Sequence, residues 1–226
     1  MANIESKNTV RVEDQEIFDR ATFLGKPDGS PRILIMGNSI TRHQPLPSIG
    51  WENDWGMAAS SKEKDYAHLV IAHVMRKHPN AAFCILQAAI WEQYFPDFDF
   101  EGCFAAAADF RPDIIVCAIS ANIKAESFEH EAFIREMGRL HRYLAGGKDF
   151  RLIQTTSFFD NSEKTAAIRE YVASVGGDLV EIHDLCHDEE NLAIGRFWHE
   201  GIEHHPGDLG MMRIAERINE KLDKYL

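Results

Sequence analysis

Ile33-Leu34-Ile35-Met36-Gly37-Asn38-Ser39-Ile40-Thr41 decides how this 226-residue chain is read. Four consecutive apolar residues suit a short strand buried on both faces, as in a parallel sheet. The run follows a dense turn signal, Lys26-Pro27-Asp28-Gly29-Ser30-Pro31, and it ends in a glycine-containing turn. Such a turn can project a serine hydroxyl into a cleft at the strand's carboxyl end. It is not a G-x-S-x-G elbow, because Thr41 stands at the second glycine position.

Similar apolar runs lie at 82–86, 114–119, 151–155 and 179–182. Helical patterns separate them. Asp65 is placed to cap a helix with Ala67, Val70, Ile71 and Val74 on its apolar side. Segments 98–109, 127–144 and 163–175 read as further helices, the last ending at Gly176-Gly177. A final helix carries Leu209, Met212, Ala215, Ile218 and Leu222 on one stripe, with Asp208 as its expected cap. Strands alternating with helices predict an α/β fold with right-handed crossovers and a parallel sheet of five strands. The expected organisation is an N-terminal extension, 1–31, packing on a single domain, 32–226. The extension is read as covering a sheet edge or reaching a neighbouring subunit of a homo-oligomer.

Composition narrows the function classes. Apolar residues make up 45% and charged residues 27%, a globular balance. With 24 basic and 36 acidic residues the formal charge is −12, which disfavours nucleic acid and anionic membrane surfaces as partners. The four cysteines form no CxxC pair and suit a reducing compartment. Met1 to Asn8 is polar and lacks the apolar core of a signal peptide. No apolar run reaches the roughly 20 residues of a membrane span. A cytoplasmic location is therefore expected.

Two connectors are long, 42–64 and 184–207, and the second carries four of the eleven histidines. Both follow strands at the edge where open α/β sheets bind ligands. The histidine spacings fit neither H-E-x-x-H nor another metal motif, so no metal is expected. His205-Pro206-Gly207-Asp208 precedes the last helix, and its proline and glycine hold His205 rigidly. A serine after the first of these strands and a histidine after the last can meet above the sheet as nucleophile and base.

Together these motifs resemble the SGNH (GDSL-like) hydrolases, from about Arg32 to the C-terminus. Gly37-Asn38-Ser39 matches the nucleophile turn, with Asn38 where the family usually has aspartate. Gln87-Ala88-Ala89-Ile90 matches the stretch after the second strand, with Ala89 on the glycine whose N–H serves the oxyanion hole. Ile119-Ser120-Ala121-Asn122 matches the third block, with Ser120 in place of glycine and Asn122 as the amide donor. His205 matches the histidine of Asp-x-x-His, but Ile202 occupies the aspartate position. Glu200, Glu203 or a backbone carbonyl is left to orient the imidazole, and Glu200 is favoured.

The resemblance implies a three-layer α/β/α sandwich, flavodoxin-like, and acyl transfer without a cofactor. Ser39 would attack and His205 would shuttle the proton, with the N–H groups of Ser39 and Ala89 and the amide of Asn122 binding the oxyanion. Trp91 and Trp55 are expected near the pocket, where aromatic faces suit sugars or acyl chains. The expected substrate is a short-chain, acetyl-type ester on a small or oligomeric carbohydrate. A thioesterase or lysophospholipase using the same residues, and a carbohydrate-binding relic with impaired catalysis, stand as alternatives.

Overall fold

The computed structural model describes residues 20–159 and 161–226. Most of the expected N-terminal extension, residues 1–19, lies outside them. Among the described residues six strands form one sheet: β1 (Ala21–Gly25), β2 (Arg32–Gly37), β3 (Ala82–Gln87), β4 (Ile114–Ala118), β5 (Arg151–Thr155) and β6 (Asp178–Val180), in the order β1-β3-β2-β4-β5-β6. All neighbours are parallel except β1, which runs antiparallel to β3 at the edge. The five-strand expectation is corrected to six. β1 falls in the stretch read as extension, and its exposed Phe23 hides any core-facing pattern.

Among the described residues seven α-helices flank the sheet: α1 (Tyr66–Lys77), α2 (Ala89–Tyr94), α3 (Phe100–Asp109), α4 (His130–Leu144), α5 (Ser162–Val175), α6 (Glu200–Glu203) and α7 (Asp208–Leu222). Side chains alternate across β2, so Ile33 and Ile35 face α1 and α7, whereas Leu34 and Met36 face the core built with α2, α3, α4 and α5. This gives three layers, α/β/α. Asp65 caps α1 by accepting the His68 N–H at 2.7 Å. Gly176, with φ of 67°, ends α5.

Asp208 departs from expectation. Gly207 is the N-cap of α7, and the Asp208 carboxylate instead accepts the Ser60 N–H at 2.8 Å, the Ser60 hydroxyl at 2.8 Å and Lys64 Nζ at 2.8 Å. It ties the 42–64 connector to the last helix. The two long connectors also share a small apolar cluster of Trp51, Met57, Ala58, Ala193 and Ile202. Among the described residues no helix is long and apolar enough to cross a membrane.

The sheet register positions the site. Gly37 lies beside Gln87 on one side and beside Ala118 on the other. Three strands therefore end level, and the turns leaving them meet at one edge.

Candidate active site

The Ser39 turn is tight because Gly37 lets it be. A Cβ at Gly37 would lie 1.9 Å from Thr41 Oγ1 and 3.0 Å from the Ala118 carbonyl, so any side chain would force the turn open. Asn38 closes the turn, its carbonyl accepting the Thr41 and Arg42 N–H groups at 3.0 Å. The Ser39 carbonyl takes the Met57 N–H at 2.9 Å, anchoring the 42–64 connector beside Ser39.

Ser39 Oγ lies 2.8 Å from His205 Nε2, as the sequence reading requires of a nucleophile and its base. His205 Nδ1 lies 2.7 Å from the Gly201 carbonyl. A carbonyl only accepts, so the proton sits on Nδ1 and the Nε2 lone pair faces the Ser39 hydroxyl. The Phe159 ring packs edge-on against the imidazole at 5.5 Å between centroids. Burial pulls the His205 pKa down to about 4; the bond to Gly201 opposes the shift, and nearby His43 and His204 add to it. The imidazole is neutral at pH 7.

Glu200 is therefore corrected as the orienting group. Its side chain is exposed, and its backbone carbonyl accepts from His204 Nδ1 at 2.8 Å. Glu203 accepts the Gly195 N–H at 2.7 Å. Ile202, at the family's aspartate position, is fully buried in the connector cluster. The short helix α6 brings a backbone carbonyl to Nδ1 where a carboxylate was expected.

The third and second blocks converge on a residue the sequence reading missed. Asn122 Nδ2 donates to Glu92 Oε2 at 2.6 Å, and Asn38 Nδ2 donates to Glu92 Oε1 at 3.3 Å. The Ser120 N–H also donates to Glu92 Oε1. Glu92 lies on α2 and is 2% exposed. Burial pushes its carboxyl up from the ordinary range, and the donors from Ser120, Asn122 and Asn38 oppose that shift. The available signal was one acidic residue in the otherwise uncharged stretch 81–95. Ser120 itself sits at φ 129°, a region L-residues seldom occupy and glycine adopts freely. The Ala89 N–H faces Gln87 Oε1 at 3.3 Å.

Of the predicted aromatics, Trp91 is corrected. It is 1% exposed and packs edge-on against Phe95 and Phe133 in the core, so it cannot meet a substrate. Trp55 is half-buried; its Nε1 donates to the Ala59 carbonyl at 2.9 Å and its ring meets Trp51 at 6.0 Å. The exposed tryptophan is Trp198, at 72%, in the connector leading to His205. It lies over Gly50, where an added Cβ would come within 2.4 Å of its Nε1.

A cavity of about 330 Å³ opens beside Ala89, lined by Arg20, His43, Gln44, Pro45, Leu46, Gln87, Ile90 and Gln93. Most of that lining is polar. Among the described residues no group of three or more His, Cys, Asp or Glu side chains is arranged to hold a metal ion.

No protein-family model and no curated protein matches the chain. Solved structures do. A two-domain esterase active on acetylated mannans, crystallised with mannopentaose, matches at 17% identity over 85% of this chain and 49% of its own, with a TM-score of 0.55. A family two carbohydrate esterase from Clostridium thermocellum, in complex with cellohexaose, matches at 16% identity over 87% and 65%, with a TM-score of 0.54. A GDSL-like lipase candidate from Bacteroides ovatus matches at 15% identity over 86% and 98%, with a TM-score of 0.53. The chain spans about half the length of the two-domain esterase structures, 49% and 52%. What is shared at such identities is architecture: the chain has the SGNH/GDSL-like hydrolase fold.

Proposed function

We propose that this chain is a serine esterase that removes a short acyl group, acetyl in the first instance, from a carbohydrate. The observation that carries the reading is the Ser39 Oγ–His205 Nε2 contact of 2.8 Å, with Nδ1 held by Gly201. Ser39 attacks the ester carbonyl as His205 takes its proton. The tetrahedral oxyanion is bound by the N–H groups of Ser39 and Ala89 and by the Asn122 amide. Collapse expels the sugar alcohol, which receives the proton from His205, and water then releases the acid by the same route. The Gly201 carbonyl orients the imidazole but brings no full negative charge to stabilise the imidazolium.

The polar cavity beside Ala89 supports a hydroxyl-rich substrate over a long acyl chain, for which an apolar channel would be needed. The fold neighbours support the same direction, two of them being carbohydrate esterases.

The test is hydrolysis of p-nitrophenyl acetate, butyrate and octanoate by wild type and Ser39→Ala, followed by acetylated oligosaccharides. Acetate cleaved fastest, and no turnover by the variant, is the expected result. Rates rising towards octanoate would favour the thioesterase or lysophospholipase reading, since each buried CH₂ adds about 0.8 kcal/mol. Glycan binding without turnover of any ester would favour the impaired relic.

A further inference from the structure

The loop that carries Asn122 is gripped from two sides by buried ionisable side chains far apart in sequence. On one side stands Glu92, accepting from the Ser120 N–H, from Asn122 Nδ2 at 2.6 Å and from Asn38 Nδ2 at 3.3 Å. On the other stands Lys164 of α5, 5% exposed, whose Nζ donates to the Ile123 carbonyl at 2.6 Å and reaches the Ala121 carbonyl at 3.5 Å. The loop thus turns donors towards the Glu92 carboxyl group and carbonyls towards the Lys164 amine.

We propose that Glu92 is a positioning residue that fixes the Asn122 amide for the oxyanion, with Lys164 bracing the loop behind it. The proposal rests on the esterase reading above. An asparagine amide has two similar ends, and the wrong end would present a carbonyl oxygen to the developing negative charge. A carboxylate can only accept, so it selects the Nδ2 end and engages one of its two protons. The other proton is left to point at the reacting oxygen. The same carboxylate holds Asn38, next to the nucleophile, so one buried group sets the distance between the attacking serine and the amide donor. Stability alone is a poor reason to keep such a group, because buried ionic groups are often matched or bettered by apolar replacements of similar volume.

The experiment uses the full chain, ¹⁵N-labelled. The Asn122 side-chain amide is assigned by its loss from the NMR spectrum of Asn122→Ala. Two well-separated, slowly exchanging amide protons are expected in wild type, and convergence with faster exchange in Glu92→Gln. In kinetics on the acetyl ester, Glu92→Gln should lower kcat about 100-fold, the scale of a misplacement near 1 Å, with little change in KM. In the Asn122→Ala background the same substitution should change kcat by less than about 3-fold, because the two act as one unit.

Unchanged amide signals in Glu92→Gln would overturn the proposal, since a glutamine mimics a protonated Glu92 donating to Oδ1. Effects of Glu92→Gln and Asn122→Ala that multiply in full would overturn it as well. If Glu92→Gln does not fold, the wild-type spectrum decides, and a degenerate, rapidly exchanging amide rejects the proposal. If wild type cleaves no ester, the esterase reading fails, while the amide spectra still test the Glu92–Asn122 geometry.

Discussion

The His205 imidazole is oriented by the Gly201 carbonyl, 2.7 Å from Nδ1, and not by a carboxylate. A neutral partner fixes the tautomer but holds the imidazolium less firmly than an anion does. Burial depresses the pKa to about 4, and the bond to Gly201 opposes that shift only in part.

That pKa sets the acid limb of activity. A protonated imidazole cannot take the Ser39 proton, so kcat/KM should stay level from pH 8 to about 5 and be half-maximal near pH 4. Rates on p-nitrophenyl acetate across this range, with circular dichroism at each pH to confirm folding, check it. An acid limb near 6.5 would mean that His205 is not the base or is not desolvated.

An aspartate at position 202, where SGNH hydrolases carry one, should not help. Ile202 is fully buried against Trp51, Met57, Ala58 and Ala193. A carboxylate there would lose its hydration without a partner, at roughly 3–5 kcal/mol. Ile202→Asp is expected to lower Tm by roughly 10 °C, at 2–4 °C per kcal/mol for a domain of this size, with no gain in kcat. Thermal melts beside steady-state kinetics decide it; a higher kcat at unchanged Tm would show that residue 202 reaches Nδ1.

How far the sequence could be read follows from where each signal lives. β2, α1, α4 and α5 are encoded locally, by apolar runs, stripes, the Asp65 cap and Gly176. The meeting of Ser39 with His205 was expected from their placement, Ser39 in the turn after β2 and His205 just before the last helix. β1 was not, because an edge strand with a 51% exposed Phe23 has no contrast between its faces. α2 was hidden because only Gln87 separates the apolar run of β3 from Ala88-Ala89-Ile90-Trp91. Glu92 acquires its role only through Asn38 and Asn122, 54 and 30 residues away, and no local spacing records that. Trp91 was misread although Phe95 follows it at i+4, the spacing of two side chains on one helix face turned to the core.

Trp198 stands in the connector before His205 and lies over Gly50 in the connector after Ser39. At 72% exposure it contributes little to the core, so its removal should leave Tm almost unchanged. Stacking a sugar face on an indole at about 0.5–1.5 kcal/mol corresponds to a roughly 2- to 13-fold rise in KM when the ring is lost. Trp198→Ala should show that rise on acetylated oligosaccharides and none on p-nitrophenyl acetate. Equal effects on both substrates would mean that the ring shapes the site and does not hold sugar.

His141 links the core to acid stability. It is fully buried on α4, Nδ1 lies 2.8 Å from the Tyr171 hydroxyl, and Nε2 has no partner. Burial lowers its pKa from 6.5 to about 3. Between those values the unfolded chain binds a proton that the folded chain refuses, so stability falls as pH falls, by up to about 1.4 kcal/mol per pH unit. His141→Asn keeps a polar group near Nδ1 but cannot titrate. Urea midpoints from pH 7 to 4.5 should therefore decline less steeply in the variant, by about one proton's worth of slope. Parallel declines in the two proteins would assign the acid sensitivity to other groups, His205 first among them.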